Sequence, residues 1–288
     1  MTDPFTTHRS LLFTVAYELL GSAADAEDVV QETWLRWDGV DHAEVRDPRA
    51  YLVRIVTRQA LNRLRTLARR REDYIGQWLP EPLLTDPDVA EDVALAEHVS
   101  MAMLTVLETL GPAERAVFVL REVFDVPHDE IAEAVGKSSA AVRQIAHRAR
   151  RHVAARRPRM EVSTAEQRAV VERFLATVHG GDVQALLEVL APNVVLVADG
   201  GGVVDAFRVP VHGAPRVAVV LSQIARTLPG LVVEPVWLNG AVAARIDPDG
   251  EFDAAVSLVV DDGRITHIYV VRNPDKLSRL DDPTPLSR

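Results

Sequence analysis

Along the first 160 or so residues apolar positions recur at helical spacing, and breakers divide them into separate helices. The pattern predicts helices over residues 8–20, ended by Gly21, over 25–37, ended by Asp38 and Gly39, and over 48–71. Asp47 followed by Pro48 is a good helix start, with an acid at the cap and proline at the first helical position. Residues 76–87 contain Pro80, Pro82 and Pro87 and read as a linker. One helix is expected over 89–110, another from the Gly111-Pro112 break to Phe124, then two shorter ones to about Arg157, where Pro158 closes the helical half. After that the period changes. Helices are expected over 164–178, 183–190 and 215–227, and β-branched or alternating runs predict strands over 194–197, 203–211, 231–238, 241–246, 252–260 and 265–271. Asn239-Gly240 and residues 247–250 and 261–263 are the turn signals between them. Helices followed by a strand meander describe an α+β domain.

The 288 residues exceed what one core usually serves, so two or three domains are expected. No run of about 18 apolar residues exists, and the first ten residues lack a basic patch feeding an apolar stretch. A cytoplasmic protein with no membrane partner is therefore expected. With no cysteine, disulfides, thiolate catalysis and Cys-ligated zinc are excluded, and nothing implies a metal or a cofactor. The net charge of −10 conceals a segregated pattern. Residues 46–71 hold nine Arg against one acid, Asp47, and residues 137–159 hold eight basic residues and no acid. Residues 76–98 carry six acids and no Lys or Arg, while residues 160–288 have 11 basic and 17 acidic residues. Two basic faces alternating with two acidic segments point to two separate contacts with a polyanion.

On the helix starting at Pro48, Arg54, Arg58, Arg65 and Arg69 fall on one side, with Asn62 among them, and Leu52, Val56, Ala60 and Leu67 fall on the other. One face packs, and the other is a guanidinium stripe suited to tracking phosphates. A solvated charged face is the plainer alternative, but such faces usually mix signs. Residues 129–143 fit a helix-turn-helix: a short helix, a turn with Gly136, a capping serine at 138–139, and a second helix. On that second helix Val142, Ile145, Ala146, Ala149 and Val153 form the stripe to be buried. Ser139, Arg143, Gln144, His147, Arg148 and Arg151 are left to face DNA, and Arg and Gln are side chains that bond guanine and adenine edges bidentately.

These strings resemble the sigma-70 family, specifically its extracytoplasmic-function group: DAEDVVQETWLR over 25–36, PRAYLVRI over 48–55, and LGPAERAVFVLREVF over 110–124 leading into the helix-turn-helix. The resemblance covers about residues 5–157. It implies that Asp28, Gln31 and Glu32 dock on core RNA polymerase. It also implies that the basic helix contacts the minus-ten promoter element, with a base extruded near residues 39–47, and that the helix-turn-helix reads the minus-thirty-five element. Three further strings, Trp78-Leu79-Pro80-Glu81-Pro82, Asp199-Gly200-Gly201-Gly202 and Asn273-Pro274-Asp275-Lys276-Leu277, look like the signature of sigma factors with a SnoaL-like extension. They are read as an interdomain regulatory contact. Where the family's glycine motif commonly continues with Lys, this chain has Val203.

The resemblance implies a multidomain chain: two all-α sigma domains, the second with the helix-turn-helix, followed by an α+β SnoaL-like cone resembling nuclear transport factor 2. The boundaries expected are a first sigma domain over 1–75, an acidic Pro-rich linker over 76–98, a second sigma domain over 99–158 and the regulatory domain over 162–288. Cones of this kind host isomerases and cyclases with an Asp or His base, which makes Asp199, Asp205, His212, Asp253 and His267 the residues to weigh. Alternation puts His267 on the face of Ile265 and Tyr269. No acid, base and oxyanion donor can be assembled from the spacing, and fold analogy establishes no reaction. The expectation is a non-enzymatic transcription initiation factor, monomeric when free, binding core polymerase and promoter DNA, with a small-molecule pocket in the C-terminal domain. The alternative is a DNA-binding module fused to a SnoaL-type isomerase or cyclase.

Overall fold

The computed structural model describes residues 3–158, 162–227, 232–247, 253–280 and 282–288, with the side chains of 68–72 excepted. Helix α1 (Pro4–Leu20) is capped by Asp3 and ends at Gly21, whose φ of 66° lets its N–H return to the Tyr17 carbonyl. Helix α2 (Ala23–Asp38) is capped by Ser22, and α3 (Pro48–Glu72) begins where the Asp47 carboxylate accepts the Ala50 N–H at 3.0 Å. The helix expected over 89–110 is instead three: α4 (Asp88–Glu91), α5 (Val93–Val99) and α6 (Met101–Leu107). The reason is local. Asp92 accepts the Leu95 N–H and Ser100 accepts the Met103 N–H, and each such cap competes with an uninterrupted helix. Then follow α7 (Pro112–Glu122), α8 (His128–Val135) and α9 (Ser139–Arg156), the last capped by Ser138.

Helices α1–α3 and α6–α9 do not keep separate interiors. One buried cluster runs from Leu12, Tyr17 and Val56 to Leu104, Leu107, Val117 and Leu120.

The C-terminal part opens with α10 (Thr164–Gly180) and α11 (Val183–Val189), and its strands are β1 (Leu190–Asp199), β2 (Val211–His212), β3 (Val232–Leu238), β4 (Ala241–Asp247), β5 (Ala254–Asp261) and β6 (Arg264–Val271). Helix α12 (Ala214–Thr227) follows β2, and α13 (Pro274–Leu277) follows β6. The sheet order is β2-β1-β6-β5-β4-β3, with β1 and β6 parallel and the other pairs antiparallel. Asn239 and Gly240 both have positive φ, 53° and 71°, as a tight hairpin between β3 and β4 requires.

The strand expected over 203–211 is not one: only Val211 and His212 pair, while Val203 and Val209 are each 70% exposed. A β-branched run forms a strand when a sheet half-covers it, and this one follows the Gly200–Gly202 turn out to solvent. The expected positions Leu231, Phe252 and Arg71 lie outside the described residues or side chains.

The central strands β1, β4, β5 and β6 are largely buried on both faces. Leu196, Ala244, Val256 and Ile268 pack under α10–α12, while Ala243, Ala255, Val259 and Tyr269 face Leu79, Met101, Ala102 and Leu280. Covering both sides explains why these strands read as near-continuous apolar runs.

Candidate nucleic-acid interface and interdomain site

The second helix of the helix-turn-helix is built as its spacing implies. Val142, Ile145, Ala146, Ala149 and Val153 are buried, and Arg143, Gln144, His147, Arg148 and Arg151 are exposed. Gly136 turns the chain with φ 68° after α8, and the Ser139 hydroxyl bonds Asp129. Little holds the outward row in place: Arg148 lies 3.7 Å from Glu114, while Arg150 is tied to Glu122 at 2.7 Å.

Helix α3 buries Leu52, Val56, Ala60 and Leu67 as expected. Of its guanidinium row, Arg65 and Asn62 are exposed and bond each other at 3.0 Å, and the Arg69 side chain lies outside the described residues. Arg54 donates to the Glu133 carboxylate at 2.9 Å and Arg58 to the Glu133 carbonyl at 2.7 Å. Half of the stripe therefore faces α8, the first helix of the helix-turn-helix. On α2, Asp28, Gln31 and Glu32 are exposed beside Leu35, which is 60% exposed. Arg63 of α3 bonds Asp28 at 3.2 Å and Gln59 bonds Glu32 at 2.8 Å, so part of this acidic face is oriented by α3.

The three short motifs, far apart in the chain, meet around one carboxylate. Asp199 has no exposed surface, and its Oδ2 accepts the Leu79 N–H at 2.8 Å and the Lys276 ammonium at 2.7 Å. Its Oδ1 accepts the Tyr74 hydroxyl and the Gly201 N–H. Lys276 also bonds the Leu79 carbonyl and lies 4.2 Å from the centre of the Trp78 ring. Asn273 caps α13, starting at Pro274, by accepting the N–H of the exposed Asp275, and it donates to Tyr74 at 3.0 Å. A Cβ on Gly200 would sit 2.3 Å from the Val204 carbonyl, and one on Gly201 would sit 2.5 Å from Asn273. The glycines are thus a matter of space. Leu277 and Leu79 share the apolar layer beneath, and Pro80 and Pro82 are buried as well. Glu81 turns the other way: its carboxylate accepts the Ala23 N–H at 2.8 Å and the Ser22 hydroxyl at 3.1 Å, at the N-terminus of α2, where a negative charge suits the helix dipole. Val203, which follows the three glycines, stands in solvent.

Several residues of this joint were not singled out in the sequence. Asn239, read only as a turn signal, donates to Tyr17 at 2.7 Å and to the Val99 carbonyl at 2.9 Å and accepts the Leu83 N–H at 3.1 Å. Tyr74 was unmarked, and the C-terminal tail returns to the helical half, with Thr284 bonded to Leu84, Ser287 to Thr14 and Arg288 to Asp92.

Glu18 is another. Its carboxyl is buried without a hydrogen-bond partner beside Arg115, which donates to the Glu18 carbonyl and to Glu108. Burial pushes this carboxyl up to about 8 against the pull of the Arg115 guanidinium. A raised folded value means that its contribution to stability is complete below the ordinary carboxylate range and is lost as pH rises through about 8. Glu18→Gln is expected to flatten the decline of unfolding free energy between pH ~5 and ~8 in denaturant titrations. An equally steep decline in the variant would assign it to other groups.

The five residues weighed as catalytic do not all meet, although Asp205 and Asp253 share Arg272. Asp199 is in the joint, His212 is exposed, Asp253 pairs with Arg272 at 2.9 Å, and the Asp205 carbonyl accepts from Arg272 at 2.7 Å. His267 stacks on Tyr269, but Ile265 belongs to the opposite face. The alternation is broken by a bulge where β5 meets β6.

The chain matches Sigma-70 region 2 over residues 5–70 and Sigma-70, region 4 over residues 100–153. It is 38% identical to the ECF RNA polymerase sigma factor SigJ of Mycobacterium tuberculosis, over 95% of this chain and 92% of SigJ. The chain belongs to the extracytoplasmic-function sigma factors. SigI of the same organism is 34% identical over 95% of this sigma factor and 93% of its own length. The crystal structure of SigJ aligns with a TM-score of 0.80 at 35% identity, covering 96% of this chain and 98% of that one. The two helical sigma regions and the α+β SnoaL-like domain of this sigma factor are therefore a family architecture.

Proposed function

We propose that this sigma factor rests in a closed form and opens on core RNA polymerase to read a promoter at two places. The observation that carries this reading is the single core shared by α1–α3 and α6–α9, which holds Arg54 and Arg58 against Glu133. A helix whose cations are bonded to its own chain presents fewer of them to phosphate. In the open form α3, with Arg54, Arg58, Asn62, Arg65 and Arg69, follows the minus-ten element, and α9, with Ser139, Arg143, Gln144, His147, Arg148 and Arg151, enters the major groove at the minus-thirty-five element. Asp28, Gln31 and Glu32 meet the polymerase, since carboxylates facing phosphate would repel it. Replacing all three by Ala is expected to abolish core binding with the circular dichroism spectrum retained. Unchanged affinity would remove that role.

The C-terminal domain acts in cis as the latch of the closed form and not as an enzyme. Asp199, Lys276 and Asn273 clasp the linker at Tyr74, Trp78 and Leu79, and an apolar cavity on the other side of the same sheet offers room for a small molecule. The units are a first sigma domain over 1–75, the linker over 76–98, the second sigma domain over 99–158 and the latch domain over 162–288. Because the latch is tethered, even a weak interface is well populated. The test is run-off transcription with Trp78→Ala and Leu79→Ala combined. Transcript yield is expected to change while promoter choice does not, and wild-type yield would refute control in cis.

A further inference from the structure

Outside their bulges, the central strands of the C-terminal sheet alternate residue by residue between two buried faces. One face, with α10 and α12, encloses a cavity of about 130 Å³ whose wall includes Phe174, Leu196, Leu221, Val256 and Ile268. Asp205 and Arg272 stand at its polar edge. Arg272 is committed: it bonds Asp253 at 2.9 and 3.0 Å and the Asp205 carbonyl at 2.7 Å. Among the described residues no buried side-chain polar atom around this cavity lacks a partner. An anionic ligand would shed its hydration there with no uncommitted cation to replace it, and a cationic one could reach a carboxylate only at the exposed Asp205 rim, outside the apolar wall. An uncharged apolar one fits, since a dry aliphatic cavity of roughly 150 Å³ accepts benzene.

The opposite face of the same strand ends carries the latch. Ala198 and Val270, paired across β1 and β6, line the cavity, and the next residue of β1, Asp199, points to the linker. On the other strand Arg272 returns to the cavity edge and Asn273 enters the latch. The N–H groups of Arg272 and Asn273 both bond the Asp199 carbonyl, at 2.7 and 3.1 Å. No spacer separates pocket from latch.

We propose that the cavity binds a small uncharged apolar molecule, of about benzene to toluene size, and that its occupancy strengthens the Asp199 latch. This inference rests on the latch reading given above. A ligand stabilises the conformation for which it has the greater affinity, and the walls of this cavity are set by strand ends held in the latched arrangement.

The whole chain is titrated with benzene, toluene and benzoate by calorimetry, and amide exchange is followed at Leu79 and Leu83, whose N–H groups bond Asp199 and Asn239. Saturable toluene binding is expected, with benzoate at least ~10-fold weaker and exchange at Leu79 slowed at least ~3-fold at saturation. Val256→Phe, which fills the cavity, should weaken toluene at least ~10-fold, whereas Leu221→Ala, which enlarges it, should keep the binding. The proposal is overturned if neither the wild type nor Leu221→Ala binds benzene or toluene, if benzoate binds more tightly than toluene, or if saturation leaves Leu79 exchange unchanged. Asp199→Asn separates the two readings. Faster Leu79 exchange in that variant with no effect of toluene on the wild type sinks the ligand alone, while unchanged exchange in the variant sinks the latch.

Discussion

Asp199→Ala is expected to detach the linker from the C-terminal domain while both halves stay folded. The substitution leaves the Lys276 ammonium, whose side chain is 12% exposed, without its carboxylate, and it removes the acceptor of the Leu79 N–H and the Tyr74 hydroxyl. Breaking a buried pair by deleting one partner costs about 3–5 kcal/mol, because the other charge stays buried. Only part of that is recoverable if Lys276 swings out to water once the interface parts. Amide exchange at Leu79 should therefore rise by at least ~100-fold, about 2.7 kcal/mol, with transcription output changing alongside. Protection equal to the wild type would mean that the apolar layer of Leu79, Met101 and Leu277 holds the joint without the carboxylate.

Arg143→Ala combined with Gln144→Ala should erase sequence preference in the upstream promoter element. Each lost bidentate base contact removes about 1–3 kcal/mol of discrimination. Arg148→Ala and Arg151→Ala are expected to weaken binding evenly across sequences and to lessen its salt dependence, as phosphate contacts do. Selection from a library of upstream sequences with reconstituted holoenzyme distinguishes these outcomes. A double variant that keeps wild-type preference would show that α9 is not the reading helix.

The helical half was legible because its signals are local. Gly21, Pro48, Gly111-Pro112 and Gly136 stop or start helices by backbone chemistry alone, and the buried rows of α3 and α9 follow from the helical period. Interruptions by side-chain caps are harder to read: Asp92 and Ser100 split a periodic run that apolar spacing alone continues. In the second half the error over 203–211 arose because a β-branched run does not reveal whether a partner strand exists. The joint was only partly visible. The motifs at 78–82, 199–202 and 273–277 stood out as strings, yet their meeting at one buried carboxylate depends on separations of 120 and 77 residues. Tyr74 and Asn239 carry no local mark of burial, and Glu18 sits in an ordinary helix that becomes an interface only when α7 packs on it.

The closed resting form can be tested by one distance. The chain has no cysteine, so Asn62→Cys on α3 and Lys137→Cys just after α8 give two unique spin-label sites, both exposed. Pulsed dipolar spectroscopy on the free sigma factor should give one short, narrow distribution, since Arg58 of α3 reaches Glu133 of α8. Adding core RNA polymerase should move it to a longer distance as the two DNA-binding halves part. The same distribution with and without polymerase would contradict the account.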